Sequence, residues 1–272
     1  MKLSRVPAVL QPGVKKNAVV KSAPDARDHR LKLLNYKAKM PKSVNLRSNL
    51  PFVYDQGPIG SCTANSAGSM YSWVVHSQNA GLFIPSRLFL YYNTRALQGT
   101  TDYDSGASLR ATMASLRNHG VCAETTWPEE YAKLFDTPTP NCYSEGAERQ
   151  ALSYAAVSIS LVAMKTVLQT RPFVLGILVY SSFFYPSVSK TGQVPVPNTK
   201  NESLLGGHAI LVLGYDDRRK SFLCRNSWGT SWGLRGDFYL PYQYATNRKL
   251  AFDAWVLYSV ELPLANARIV KM

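Results

Sequence analysis

Cys62 differs from the other three cysteines of this 272-residue chain because it stands where a helix begins. It follows the run QGPIGS, and apolar residues recur from about Ser61 at spacings of three and four, which predicts a helix with Ser61 as its N-cap. The dipole and the free backbone N–H groups at a helix start favour a thiolate. Taken alone, a cysteine there is a weak signal, and structural burial explains it equally well.

His208 and Asn226 supply the two groups that a nucleophilic thiol needs. His208 follows two glycines and opens the apolar run AILVLGY, whereas Asn226 opens NSWGTSWG eighteen residues later. An amide that accepts from an imidazole N–H fixes the tautomer of the ring, and indoles shield that bond from water. A packed histidine at a strand start is ordinarily the commoner interpretation. The order and spacing of Cys62, His208 and Asn226 nevertheless favour nucleophilic catalysis by a thiol.

Three blocks carry a family resemblance. QGPIGSCTA, GGHAILVLGYDD and NSWGTSWG, in this order, resemble the signature blocks of the papain (C1-type) cysteine peptidase family. The resemblance extends from about Pro41, where MPKSVNLR is similar to a mature papain-type start, to the C-terminus. It implies an α+β, papain-like two-subdomain fold, with Cys62 in a left helical subdomain. His208 and Asn226 then lie in a right β-barrel-like subdomain, across an active-site cleft.

The resemblance also implies a role for each matching residue. Cys62 is expected to be the nucleophile, His208 the acid and base, and Asn226 the residue that orients the imidazole. The Gln56 amide and the Cys62 backbone N–H are expected to stabilise the oxyanion. The expected substrate-binding residues are Gly60, Gly106, Ala209, Trp228 and Trp232. The small Ala209 indicates an apolar or aromatic P2 side chain, and no cofactor or metal is expected.

Elements that would position these residues can be predicted from pattern alone. Besides the first helix, helices are predicted from Ser108 to the Gly120 stop and over about 161–169, and residues 186–205 are predicted to be a loop. The predicted strands are Phe173–Tyr180, His208–Tyr215, Ser221–Arg225 and Asp237–Leu240. Helices come first and strands second, which predicts an α+β chain with two segregated halves.

The distribution of charge along the chain predicts two segments, a basic N-terminal extension, 1–40, and a peptidase domain, 41–272. The net charge is +14, and residues 1–49 contribute most of it, with twelve Lys and Arg against two Asp. Residues 1–40 are interpreted either as a pro-segment that lies across the cleft or as a basic anchor for nucleic acid or acidic lipid. No nucleic-acid-binding motif supports the second interpretation. Peptides or proteins are the expected substrates, and a monomer is expected.

Composition excludes several other classes of protein. Low charge and many aromatic residues exclude a disordered chain, and four cysteines are too few for a disulfide scaffold. No apolar run reaches the roughly 18 residues of a membrane span. The N-terminus lacks a signal-peptide core, so a cytoplasmic location is the default, with non-standard export left open.

Departures from the family pattern leave alternatives open. Ile59 replaces a cysteine and Thr63 replaces an aromatic residue, which indicates a divergent bacterial or viral-type branch. Cys122 and Cys142 could form a disulfide, but a reducing compartment would leave both as thiols. A catalytically silent binding protein and an acyltransferase that uses the same site are the alternative functions.

Overall fold

The structure is a computed structural model that describes residues 18–31 and 40–263. The α-helices are α1 (Cys62–Ser77), α2 (Arg87–Gln98), α3 (Leu109–Asn118), α4 (Pro140–Ala147), α5 (Leu161–Leu168), α6 (Pro186–Thr191) and α7 (Tyr242–Ala245). The strands are β1 (Ser43–Asn45), β2 (Ala151–Val157), β3 (Phe173–Tyr180), β4 (Leu204–Asp216), β5 (Ser221–Arg225), β6 (Asp237–Pro241) and β7 (Ala251–Val260). Three single turns of 3₁₀ helix cover Arg47–Asn49, Tyr131–Lys133 and Ser181–Phe184.

Helix α1 is the central element of the helical half. All its residues from Cys62 to Val75 are buried, because small side chains such as Ala64 and Ala67 let α2, α3 and the sheet approach closely. The two neighbouring helices begin at serine caps: Ser86 accepts from the Phe89 N–H and Ser108 from the Ala111 N–H. The start of α1 is therefore held inside the protein.

The second half is built on one antiparallel sheet with strand order β2-β7-β3-β4-β5-β6, and β1 pairs with β4. The central strands are buried along most of their length because both faces of the sheet are covered, one by the helical half and the other by a second apolar cluster. A bulge between Val174 and Gly176 of β3 shifts the register with β7, where Asp253 has a φ of 49°.

A buried ion pair joins β5 and β6 to the chain before α1. Arg225 Nε donates to Asp237 Oδ1 at 2.8 Å, and Arg225 Nη1 donates to the carbonyl oxygens of Leu50 and Phe52. Arg225 directly precedes Asn226, so this contact fixes the segment that leads to Gln56 beside the end of β5. This contact thereby connects the sheet to the segment that leads into helix α1.

The expected α+β architecture is confirmed, and most predicted elements lie where the pattern placed them. The strict separation of helices and strands is wrong, because β1 precedes α1 and α5–α7 lie between strands. Residues 186–205 are not entirely a loop, since they contain α6 and the first residues of β4. Pattern analysis also missed α2, α4, β2 and β7. Of the N-terminal extension, residues 1–17 and 32–39 lie outside the described residues.

No helix in the two described stretches is long and apolar enough to cross a lipid bilayer.

Asp237→Asn should lower the free energy of unfolding by about 3–5 kcal/mol, because it leaves the buried Arg225 guanidinium without its carboxylate. Urea unfolding followed by tryptophan fluorescence measures the loss. Glu130→Gln is the matched control, since the Glu130–Lys133 pair is exposed and its removal should change stability by less than about 0.5 kcal/mol. Equal effects of the two substitutions would contradict the structural role of the buried pair.

Candidate active site

Cys62 is the first residue of α1 and is completely buried. Burial raises the pKa of its thiol to about 12, because a thiolate loses its solvation there. The backbone N–H groups of Ala209, Thr63 and Cys62 itself oppose that rise by hydrogen bonding to the sulfur. Two of these donors belong to the helix start, and the third belongs to β4. The sulfur therefore lies where the two halves meet.

His208 lies on β4, directly before Ala209, and is also completely buried. Its Nε2 is 2.8 Å from Asn226 Oδ1, whereas Nδ1 has no hydrogen-bond partner among the residues described. Burial lowers the pKa of the imidazole to about 4, and the bond to Asn226 opposes that effect because it stabilises the protonated ring. The bond to Asn226 also fixes Nε2 as the protonated nitrogen of the neutral ring, so Nδ1 is a base.

Asn226 is held by the backbone around it. Its N–H donates to the Gly236 carbonyl at 2.8 Å, and its Oδ1 also accepts from the Ser227 N–H at 2.9 Å. The Trp228 ring stacks on His208 with centroids 4.9 Å apart, and Trp232 packs edge-on against Trp228 at 5.1 Å. Both indoles are buried, so water has little access to the bond between the imidazole and the amide.

Gln56 lies between the two halves and is buried. Its Nε2 donates to the Ile59 carbonyl at 2.8 Å, and its Oε1 accepts from Ser227 Oγ at 2.5 Å. Its backbone N–H donates to the Ser227 carbonyl at 2.9 Å. The amide is thus fixed between the loop before Cys62 and the loop after Asn226.

The two glycines expected to bind substrate use their N–H groups within the protein. The Gly60 N–H donates to both carboxylate oxygens of Asp104 at 3.1 Å, and a Cβ at this position would lie 2.7 Å from one of them. The Gly106 N–H donates to Tyr91 Oη at 2.9 Å, and Gly106 has a φ of 71°. Sequence reasoning did not find the next residue, Ala107, which is completely buried and whose N–H and carbonyl are both hydrogen bonded, although adjacency to Gly106 could have indicated it.

Residues 18–31, here named the strap, supply the partners of Ala107. The Val20 N–H donates to the Ala107 carbonyl at 2.9 Å, and the Ala107 N–H donates to the Ala18 carbonyl at 3.1 Å. On the opposite side, a Cβ on Gly207 would lie 2.6 Å from the Val19 carbonyl oxygen. Ala18 and Val19 are buried. The strap therefore runs between Ala107 of the helical half and the glycine that precedes His208.

Further contacts fix the rest of the strap. The Ser22 N–H donates to Asp253 Oδ2 at 2.6 Å, and Arg110 pairs through two nitrogens with both carboxylate oxygens of Asp28. The backbone of His29 and Leu31 exchanges hydrogen bonds with Ala156 of β2.

All four cysteines are free, buried thiols. Burial raises the pKa of Cys122, and the neighbouring Cys142 adds to that rise. No group of three His, Cys, Asp or Glu that could hold a metal ion occurs within 18–31 or 40–263.

Comparisons with known proteins agree on one family. Residues 40–256 match the family described as papain family cysteine protease. The chain is 32% identical over 277 residues to an uncharacterized peptidase C1-like protein of Acanthamoeba polyphaga mimivirus, covering 91% of this chain and 88% of the viral protein. It is 26% identical over 211 residues to mouse procathepsin L and spans 59% of that protein's length.

Solved structures give the same result. The fold is similar to that of xylellain, a cysteine protease from Xylella fastidiosa, with a TM-score of 0.85, 35% identity, and coverage of 92% of this chain and 98% of that one. A digestive procathepsin L 3 of Tenebrio molitor, at 21% identity and a TM-score of 0.67, shares the fold, with coverage of 85% of this chain and 74% of that one.

Acidification from pH 6.5 to about 4 should destabilise the folded protein through His208. The ring takes up a proton near pH 6.5 when unfolded but only near pH 4 when folded, so stability is present above 6.5 and is lost as the pH falls. The expected contribution is about 1.4 kcal/mol for each pH unit in that interval.

Urea unfolding at pH 6.5 and 4.5, for the wild type and His208→Gln, measures this contribution. His119, whose pKa burial also lowers, titrates in both proteins, so the difference isolates His208. An identical pH dependence of the two proteins would contradict the assignment.

Proposed function

Because the chain belongs to the papain family of cysteine proteases, whose members are thiol hydrolases, we propose that it is an endopeptidase that cleaves peptide bonds through a thioester on Cys62. The observation that carries this proposal is that Cys62 and Ala209 belong to one cluster of buried residues, because Ala209 directly follows His208. Cys62, the proposed nucleophile in the helical half, thus lies next to β4, the strand that carries the proposed base His208.

In the proposed reaction the Cys62 thiol gives its proton to His208 Nδ1, and the thiolate attacks the peptide carbonyl. The Gln56 side-chain amide and the Cys62 backbone N–H stabilise the oxyanion, and each donor of this kind contributes about 10²–10³ in rate. The C–N bond breaks as His208 protonates the leaving amine. His208 then takes a proton from water, which hydrolyses the thioester and restores the thiol.

Burial supports this assignment of protons. In the described structure the pKa of Cys62 is raised and the pKa of His208 is lowered, so both groups are uncharged at rest. The bond from Nε2 to Asn226 leaves Nδ1 as the nitrogen that can accept the thiol proton. Trp228, stacked on the ring, opposes rotation of the imidazole out of its plane.

The path of the strap supports endopeptidase action. Residues 18–31 are an internal part of the chain, and residues 18–20 among them lie between Ala107 and Gly207. A groove that accepts an internal segment does not require a substrate terminus. The buried, apolar Val19 beside Ala107 and Gly207 also fits the expected preference for an apolar P2 side chain next to Ala209.

We also propose that the strap is an inhibitory cover of the cleft. It occupies both backbone hydrogen-bonding groups of Ala107, the groups that an extended substrate would use, and it contacts Gly207 beside His208. The Arg110–Asp28 pair anchors it, because a bidentate contact to a carboxylate is stronger and more specific than a single hydrogen bond. Activation then requires release or cleavage of the strap.

Cys62→Ala should reduce peptidase activity on a fluorogenic peptide to the level of buffer, because the variant cannot form a thioester. Cys122→Ala is the control, since that thiol is also buried but has no role in the proposed reaction. Peptidase activity retained by Cys62→Ala would refute the proposal.

Asp28→Asn and Arg110→Ala should each raise the initial rate on a peptide substrate about tenfold, which corresponds to a loss of about 1.4 kcal/mol of strap binding. Arg117→Ala is the matched control, because it removes an exposed arginine from the same helix without touching the strap.

The exchanged pair Asp28→Arg with Arg110→Asp should return the rate towards the wild-type value, since the opposite charges again face each other. Unchanged or lower rates in both single variants would overturn the inhibitory role of the strap and leave the peptidase proposal standing.

A further inference from the structure

An acidic side chain in the loop between α2 and α3 joins two segments of the candidate active site. Asp104 is half-buried, and both of its carboxylate oxygens lie 3.1 Å from the Gly60 nitrogen, which donates to them. Gly60 is two residues before Cys62, and Asp104 is three residues before Ala107. The carboxylate therefore links the loop that leads to the nucleophile to the segment that pairs with the strap.

The Tyr91 hydroxyl extends this link to the residue before Ala107. Tyr91 lies on α2 and is completely buried. Its Oη donates to Asp104 Oδ1 at 2.5 Å and accepts from the Gly106 N–H at 2.9 Å. A backbone N–H can only donate, so the single hydroxyl proton of Tyr91 goes to Asp104, and the carboxylate acts as the acceptor. Burial and the charge of Asp104 raise the pKa of Tyr91, so the hydroxyl keeps its proton.

The result is one chain of hydrogen bonds from Gly106 through Tyr91 to Asp104. The space around the carboxylate is tight, since a Cβ on Gly60 would lie 2.7 Å from Asp104 Oδ1 and 3.3 Å from Tyr91 Oη. No disulfide joins the loop before Cys62 to the rest of the described chain, because all four cysteines are free. Hydrogen bonds to a charged group are roughly twice as strong as neutral ones, and bonds in a chain strengthen one another. The chain of bonds therefore fixes the spacing of the two segments without a covalent link.

We infer that Asp104 is a positioning residue that holds Ala107 at a fixed place relative to Cys62. The side after Ala107 is fixed independently, because the Ser108 N–H donates to Gln98 Oε1 at 2.9 Å where α3 begins. The side before it depends on the carboxylate. An extended substrate that pairs with Ala107 places its reactive carbon at the sulfur only if the two are correctly spaced. This inference rests on the proposed roles of Cys62 and Ala107.

Two reagents with the same reactive group measure this spacing. Benzyloxycarbonyl-Phe-Ala-chloromethyl ketone has a peptide backbone that can pair with Ala107, whereas chloroacetone has none. With either reagent the Cys62 thiolate forms an S–C bond to the chloromethyl carbon and chloride leaves, and mass spectrometry of the Cys62 peptide gives the rate. The readout is the ratio of the second-order rate constant of the peptide reagent to that of chloroacetone. All proteins carry Arg110→Ala, which removes the anchor of the strap.

Tyr91→Phe and Asp104→Ala should each lower this ratio about tenfold, because the peptide reagent loses a correctly placed Ala107 and the ratio removes any change in thiol reactivity. Tyr91→Phe retains the carboxylate and its charge, so its rate with chloroacetone should not change. The double variant should lower the ratio no further than Asp104→Ala does, since both substitutions break the same chain of hydrogen bonds.

Tyr92→Phe and Asp102→Ala are the matched controls and should leave the ratio unchanged. The Tyr92 hydroxyl is 3.0 Å from Thr137 Oγ1 in an exposed hydrogen bond, and Asp102 is exposed in the same loop as Asp104. Urea unfolding of each variant verifies that it is folded. If Asp104→Ala does not fold, Tyr91→Phe alone decides the test.

An unchanged ratio in Tyr91→Phe and Asp104→Ala would overturn the inference even if both rates fall, because the substitutions would then disturb only the thiol or the fold. Additive losses in the double variant would also overturn it, since the two residues would then act separately. A protein that reacts no faster with the peptide reagent than with chloroacetone would refute substrate pairing at Ala107, and this inference with it. Both reagents report on the Cys62 thiol and not on peptide cleavage, so failure of the peptidase proposal and failure of this inference can be told apart.

Discussion

The proposed catalytic chemistry of this protein depends on burying two ionisable groups, Cys62 and His208, where the start of a helix meets the middle of a sheet. A buried polar group needs a hydrogen-bond partner, and the imidazole has one because Asn226 accepts from its Nε2. Cys62 belongs to the same buried cluster as Ala209, which directly follows His208. The Arg225–Asp237 pair fixes the segment before Gln56 to the end of β5, so the helix start cannot move away from the sheet.

Low solvent access determines the resting state of the site. A thiolate and an imidazolium both lose solvation there, which explains why the pKa of Cys62 rises and the pKa of His208 falls. In the proposed reaction, formation of the charged pair that attacks a substrate depends on hydrogen-bond donors that stabilise the thiolate. The strap also limits solvent access, since it lies beside Ala107 and Gly207 and helps to exclude water.

Local patterns predicted the elements near the site well and the distant ones poorly. The helix at Cys62 and the strand at His208 were found because periodicity and flanking glycines mark them. Helix α2 was not predicted although Ser86 and Gly99 mark its ends, because the buried polar residues Asn93, Thr94 and Arg95 interrupt its apolar pattern. Strand β7 was missed because the bulge around Asp253 breaks the alternation of its side chains. Gly106 was expected to pair with substrate, but its N–H is donated to Tyr91, and its neighbour Ala107 makes the backbone hydrogen bonds to the strap.

The sequence by itself determined the family, the α+β class and the identity of the residues that could do the chemistry, because these depend on residue type and on order along the chain. Only the tertiary structure decided which hydrogen-bond donor pairs with which acceptor. Ser61 has the sequence of a helix cap, yet its hydroxyl donates to Glu129, 68 residues away. Hydrogen bonds between residues that are distant in the chain depend on packing. No local pattern encodes which acceptor lies within hydrogen-bonding distance of a given donor.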